Sequence, residues 1–158
     1  MSQRTPERQE SDDERADRQY GELLQELRVA QTGVQFLFAF LLTLAFTNRF
    51  EKITQTQERI YIGTLIITAL ATALLIGPVP FHRIVSGRGL KPRLVRGADL
   101  MARIGLVLLL LAINGAVLLI LDVVIGGALP FVLGALITTW FLVVWYVVPL
   151  TARERSPE

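Results

Sequence analysis

The chain has 158 residues, of which 52% are hydrophobic and only 19% charged, and its mean hydropathy is +0.48. That balance excludes a water-soluble domain of ordinary composition, and the absence of cysteine excludes disulfides, thiolate catalysis and cysteine-ligated metal sites. The charges, net +2, are segregated: polar tracts alternate with four apolar stretches, each near the roughly 20 residues a helix needs to cross about 30 Å of hydrocarbon.

Residues 1–17 are rich in Ser, Gln and mixed charge with almost nothing apolar. Such a segment buries too little surface to offset chain entropy, so a disordered tail is expected. From Tyr20 the pattern changes. Tyr20, Leu23, Leu24, Leu27 and Val34 recur at helical spacing, with Arg18 and Glu22 four apart as a supporting pair. This predicts an N-terminal amphipathic helix that either bends into the first span, about 29–47, or continues as it. No short apolar region followed by small-residue cleavage signals precedes that span, which is therefore expected to act as its own insertion signal. Arg28, Gln31, Thr32, Gln35 and Thr43 fall within about a third of the helix circumference, so a polar stripe enters the hydrocarbon, with Gln35 about 10 Å beyond Arg28.

Residues 48–59 form a short connection in which Phe50 and Ile53 are expected to rest on headgroups. The second span, about 60–81, opens on an interfacial Tyr61 and carries Thr64, Thr68 and Thr72 at four-residue spacing. Ala69 and Ala73 form a small-xxx-small pair of the kind that lets helices approach. Gly77-Pro78-Val79-Pro80 then loosens the helix end.

Residues 82–103 are a basic connection, holding His82, Arg83, Arg88, Lys91, Arg93, Arg96 and Arg103 against one acid, Asp99; residues 94–102 can begin the next helix early. The third span, about 104–125, is interrupted by Asn114, Gly115 and Asp122. Residues 126–128 leave room only for a tight hairpin into the fourth span, about 129–150. There Pro130 suits the first turn, and Trp145 and Tyr146 suit an aromatic belt. Residues 151–158 are a short polar tail. The prediction is an all-α polytopic membrane protein, a four-transmembrane-helix bundle with an N-terminal amphipathic helix.

All but Arg49, Lys52 and Arg59 of the 16 lysines and arginines lie on the side of the two termini and the long connection. By the positive-inside rule both termini are expected to be cytoplasmic. The same basic connection makes His82, Arg83, Arg88, Lys91, Arg93 and Arg96 candidates for contact with anionic lipid headgroups. Nucleic acid is not expected, because the cluster lies against a membrane and lacks interleaved aromatics.

Three other sets carry alternative readings. Arg28, Gln31 and Gln35 read as a vestibule or partner-helix contact, or as a snorkelling arginine with two glutamines satisfied by neighbouring helices. Asp122 reads as an interfacial or hairpin-capping group, or as an ion or proton site with Arg59 as its partner. Asn114, with Thr68, Thr72, Thr138 and Thr139 at similar depth, reads as part of a polar pathway or as interhelical hydrogen-bond glue. No paired carboxylates at the membrane, Ser-His-Asp set, phosphate-binding glycine loop or metal-ligand spacing is evident, so no catalytic, cofactor-binding or metal site is expected.

The run from Tyr20 through Glu22-Leu23-Leu24-Gln25-Glu26-Leu27-Arg28 to Gln31-Thr32-Gly33-Val34-Gln35 carries a resemblance, together with Phe38-Ala39-Phe40-Leu41-Leu42, Pro80-Phe81-His82-Arg83 and Trp145-Tyr146-x-x-Pro149. It resembles an uncharacterised actinobacterial family of small four-span integral membrane proteins, a domain of unknown function. The resemblance covers most of residues 18–150 and implies a bacterial plasma-membrane protein; some similar proteins carry the automatic name sodium:proton antiporter. The expected role is non-enzymatic: structural, regulatory or in assembly, with a homo-oligomer or a membrane-protein partner. The alternative is a small cation or proton transporter using Asp122 and the polar residues of spans one and three.

Overall fold

The computed structural model describes residues 12–80 and 91–154, which contain helices and no strand. Helix α1 runs Asp12–Leu44, α2 Gln55–Ile76, α3 Lys91–Val124 and α4 Leu129–Leu142; α4 passes through a π-helical turn, Val143–Val147, into α5, Val148–Glu154. Four helical segments, Arg18–Leu44, Gln55–Pro80, Val95–Val124 and Leu129–Thr151, are long and apolar enough to cross a membrane. Their outer surface suits hydrocarbon: Phe36, Phe46 and Trp140 are 74%, 89% and 68% exposed.

Two helices begin earlier than their apolar content suggests. The expected tail to residue 17 gives way at Asp12, where Asp12, Asp13 and Glu14 stand at sequence positions that complement the positive end of a helix dipole. The amphipathic stretch therefore continues into the first span as one 33-residue helix with no bend to a separate element. Residues 1–11 lie outside the described residues. Likewise α3 starts at Lys91, with Pro92 in its first turn, and extends the expected third span by more than three turns toward the N-terminal side of the membrane.

The buried positions explain how the helices meet. In α1 they are Tyr20, Leu27, Val34 and Leu41, one every seven residues. In α2 they alternate by three and four, Tyr61, Thr64, Thr68, Ala71 and Leu75, and the spacing continues to Pro78 just beyond its end. In α3 the same alternation holds Ala98, Ala102, Gly105, Leu109, Ala112, Ala116 and Leu119. A sustained seven-residue period under-winds the helix slightly and imposes left-handed, knobs-into-holes packing. These three helices accordingly pack on one another, α2 against α3 most extensively, whereas α4 packs along α3. In α4 only Pro130 and Gly134 are buried, so no seven-residue seam runs along it.

Close approach depends on α3 glycines. A Cβ on Gly115 would lie 2.3 Å from Thr64 Oγ1, and one on Gly105 would lie 2.9 Å from the Leu75 side chain. The expected small pair, Ala69 and Ala73, instead faces outward and is exposed. The pair is correctly spaced, but the seven-residue seam passes through Thr68, Ala71 and Leu75 on another face. Between α3 and α4 the hairpin turns on Gly126 and Gly127, with φ of 69° and 73°, a left-handed conformation that favours glycine at both positions.

Candidate functional site

At the end of the bundle holding the N-terminus, the proline-rich close of α2 dictates the chemistry. Pro78 and Pro80 bring no N–H, and the last carbonyls of any helix lack intrahelical donors. Helix α1 supplies donors from its side: Gln31 Nε2 donates to the Leu75 carbonyl at 2.8 Å, and the Tyr20 hydroxyl donates to the Pro78 carbonyl. Tyr20 is buried against Ala98. The Arg28, Gln31 and Gln35 stripe is thereby divided, because Gln31 is half-buried against α2 while Arg28 and Gln35 are exposed.

Beside this lies a cleft of about 310 Å³ between α1 and α3, lined by Glu22, Glu26, Arg96, Asp99 and Arg103 among others. Arg103 donates to Asp99 at 2.8 Å, and Arg18 to Glu22 at 3.2 Å as the sequence spacing suggests. Arg96 is exposed. His82, Arg83 and Arg88 lie outside the described residues; Lys91 and Arg93 fall within the first turn of α3, their side chains outside the described set.

At the opposite end, Gln57 makes three connections. Its carbonyl oxygen accepts from the Thr54 backbone at 3.0 Å and its own N–H donates to Thr54 Oγ1 at 3.3 Å, closing a capping box at the start of α2. Its Nε2 then donates to Asp122 Oδ2 at 2.9 Å. Asp122 therefore ties the end of α3 to the cap of α2, with Gln57 in the position the sequence reading considered for Arg59. Tyr61, expected at the interface, is 5% exposed, because its hydroxyl donates at 2.9 Å to the Leu41 carbonyl in the last turn of α1. Phe50, expected on headgroups, packs its ring edge-on to Tyr61 at 4.7 Å.

Near mid-depth, Asn114 Nδ2 donates to the Leu110 carbonyl and its Oδ1 accepts from Thr138, each at 2.9 Å, linking α3 to α4. Thr64, Thr68 and Thr72 each donate to the carbonyl four residues back in α2. Thr139 does the same in α4 from an exposed position. Asn114 and Asp122 do not form one site: eight residues separate them, about 12 Å along α3, and they bond to different helices. Among the described residues no group of three or more His, Asp or Glu is placed to hold a metal ion.

Sequence reasoning passed over Tyr20, Gln57 and Tyr61 as polar ties, although the Pro-Val-Pro close of α2 signals carbonyls in need of donors. It also passed over the π-helical turn, in which the Val148 N–H donates to the Val143 carbonyl five residues back. Its signal is Pro149, whose ring clashes with the carbonyl four residues earlier in a regular helix. Compared with known proteins, residues 9–149 match the model of a family of unknown function, DUF6328. No curated protein and no solved structure matches.

Proposed function

We propose, for a chain that belongs to the family of unknown function DUF6328, a non-enzymatic structural, regulatory or assembly role in the plasma membrane of an actinobacterium, with both termini cytoplasmic. The observation that carries this reading is the pairwise use of polar groups at membrane depth. Gln57 with Asp122, Asn114 with Thr138 and Gln31 with the Leu75 carbonyl each join two helices, and the α2 threonines turn back on their own backbone. Polar groups consumed this way act as glue, each interhelical bond contributing about 0.6 kcal/mol, rather than as stations along an ion path.

An assembly role draws further support from Gln35. Its exposed amide lies about one turn deeper than Gln31 along α1, where lipid offers it no partner and a neighbouring helix would.

The deciding experiment places purified protein in liposomes under an imposed pH or sodium gradient with a trapped pH dye. Gradient decay equal to that of protein-free liposomes is expected. Faster decay that Asp122→Asn abolishes would overturn the reading in favour of a cation or proton transporter.

A further inference from the structure

Where α4 widens into its π-helical turn, it stands off from α3 and leaves a cleft of about 650 Å³, lined by Arg103, Ile104, Leu106, Val107, Trp145 and Tyr146. That size lies within the range of about 300–1,000 Å³ common for small-molecule sites. Aliphatic walls and two aromatic rings make the interior suitable for hydrocarbon, and Trp145 is held edge-on against Phe141 at 5.4 Å. Counting from the Asn114–Thr138 contact, with the two helices antiparallel, Arg103 lies about one turn nearer water than Tyr146. The cleft thus carries its aliphatic walls and two aromatic rings at similar depth, with a guanidinium at its water-side end, an arrangement suited to the interface of a bilayer leaflet.

Arg103 also lines the second cleft, with Arg96, Asp99, Glu22 and Glu26. The apolar groove and this mixed-charge cleft therefore adjoin at one side chain. Asp99 engages one guanidinium nitrogen, Nη2, and a guanidinium carries five N–H donors, so others remain for a phosphate. Beyond it stand carboxylates on α1 and α3. A purely anionic headgroup would meet these acids unfavourably, whereas a headgroup with a phosphate followed by a primary ammonium matches the order of charges.

We propose that the groove between α3 and the π-helical turn, continued into the α1/α3 cleft, binds one zwitterionic aminophospholipid. An acyl chain lies along Ile104, Leu106 and Val107, the phosphate accepts from Arg103, and the ammonium donates to Glu26 and Asp99. This goes beyond the role proposed above and does not depend on it, since the site would be the same in a scaffold or a transporter.

The test uses full-length protein carrying Trp140→Phe, which leaves Trp145 as its one tryptophan, in vesicles titrated with phosphatidylethanolamine, phosphatidylcholine or phosphatidylglycerol bearing brominated acyl chains. Trp145 fluorescence should be quenched by the ethanolamine lipid at a roughly fivefold lower mole fraction than by either of the others, the discrimination expected of one net hydrogen bond from an ammonium N–H that choline and glycerol headgroups lack. Arg103→Ala, which removes the contact to a phosphate that all three lipids carry, should raise the mole fraction each of them needs for quenching. Glu26→Gln, a change on an exposed side chain, should reduce the distinction between ethanolamine and choline and supplies the reading if Arg103→Ala does not fold. Equal quenching by all three lipids, preference for the glycerol lipid, a preference for ethanolamine over choline undiminished by Glu26→Gln, or quenching by the ethanolamine lipid unaffected by Arg103→Ala would overturn the proposal. So would displacement of the quencher by soluble phosphoethanolamine, which has no acyl chain to occupy the groove.

Discussion

Tyr20 and Tyr61 perform the same chemistry at opposite ends of the bundle. Each hydroxyl donates to a carbonyl near the end of a neighbouring helix, Pro78 at the close of α2 and Leu41 at the close of α1. In hydrocarbon no water is available for such groups, so side chains from adjacent helices take over. Gln57 extends this logic by capping its own helix while bonding Asp122. Asp122 sits near the C-terminal end of α3, where a negative charge opposes the helix dipole. Asparagine there keeps an oxygen acceptor for Gln57 and drops the charge. Asp122→Asn should therefore leave thermal stability in detergent unchanged or slightly raised. Gln57→Ala should lower it by about 1–2 kcal/mol, from loss of the cap and of the interhelical bond. A larger loss for Asp122→Asn than for Gln57→Ala would mean that the carboxylate charge itself is needed.

Among the elements, α2 and α3 form the closest pair because the small residues of α3 fall on its seven-residue seam. Association of helices in lipid draws on van der Waals contact rather than on expulsion of water, so closeness determines its strength. Gly115→Ala would drive a methyl group into Thr64, which is 4% exposed and has no space to retreat into. We expect a loss of about 1–3 kcal/mol, seen as a lower unfolding temperature in detergent. The double variant Thr64→Ala with Gly115→Ala should recover most of it, since it removes the threonine hydroxyl, the closest atom at 2.3 Å, and its methyl, leaving only Cβ at 3.2 Å. An unchanged midpoint for Gly115→Ala alone would contradict the close approach.

For the molecule as a whole, α1, α2 and α3 make the core and α4 is an outrigger on α3, joined through the two-glycine hairpin and the Asn114–Thr138 bond. Its orientation in the membrane is open to a direct measurement, because the native chain has no cysteine to give background. In intact cells an impermeant thiol reagent should label Glu51→Cys, on the short connection with few basic residues. Ser86→Cys, on the basic connection, should become reactive only after permeabilisation. The reverse pattern would invert the topology.

Four apolar lengths, their polar boundaries and the segregation of Lys and Arg are local properties, and the sequence by itself determined from them the all-α class and the number of helices that can cross a membrane. The period of the buried positions was present too, but it is hidden where every face of a helix is apolar and lipid-facing leucines match buried ones. For that reason Ala69 and Ala73 looked like a contact, and the charge-dense stretch from Lys91 to Arg103 read as a connection whose residues 94–102 could begin the next helix early, with nothing to mark Ala98 and Ala102 as buried in the seam. Only the tertiary structure decided which polar groups meet. It drew Gln31 to α2 while leaving Gln35 outside, gave Asp122 to Gln57, and set Arg103 between two clefts. The physical reason is that partner choice in a bundle depends on the rotation of each helix about its axis. That rotation follows from the packing of glycine against threonine and leucine across helices distant in sequence.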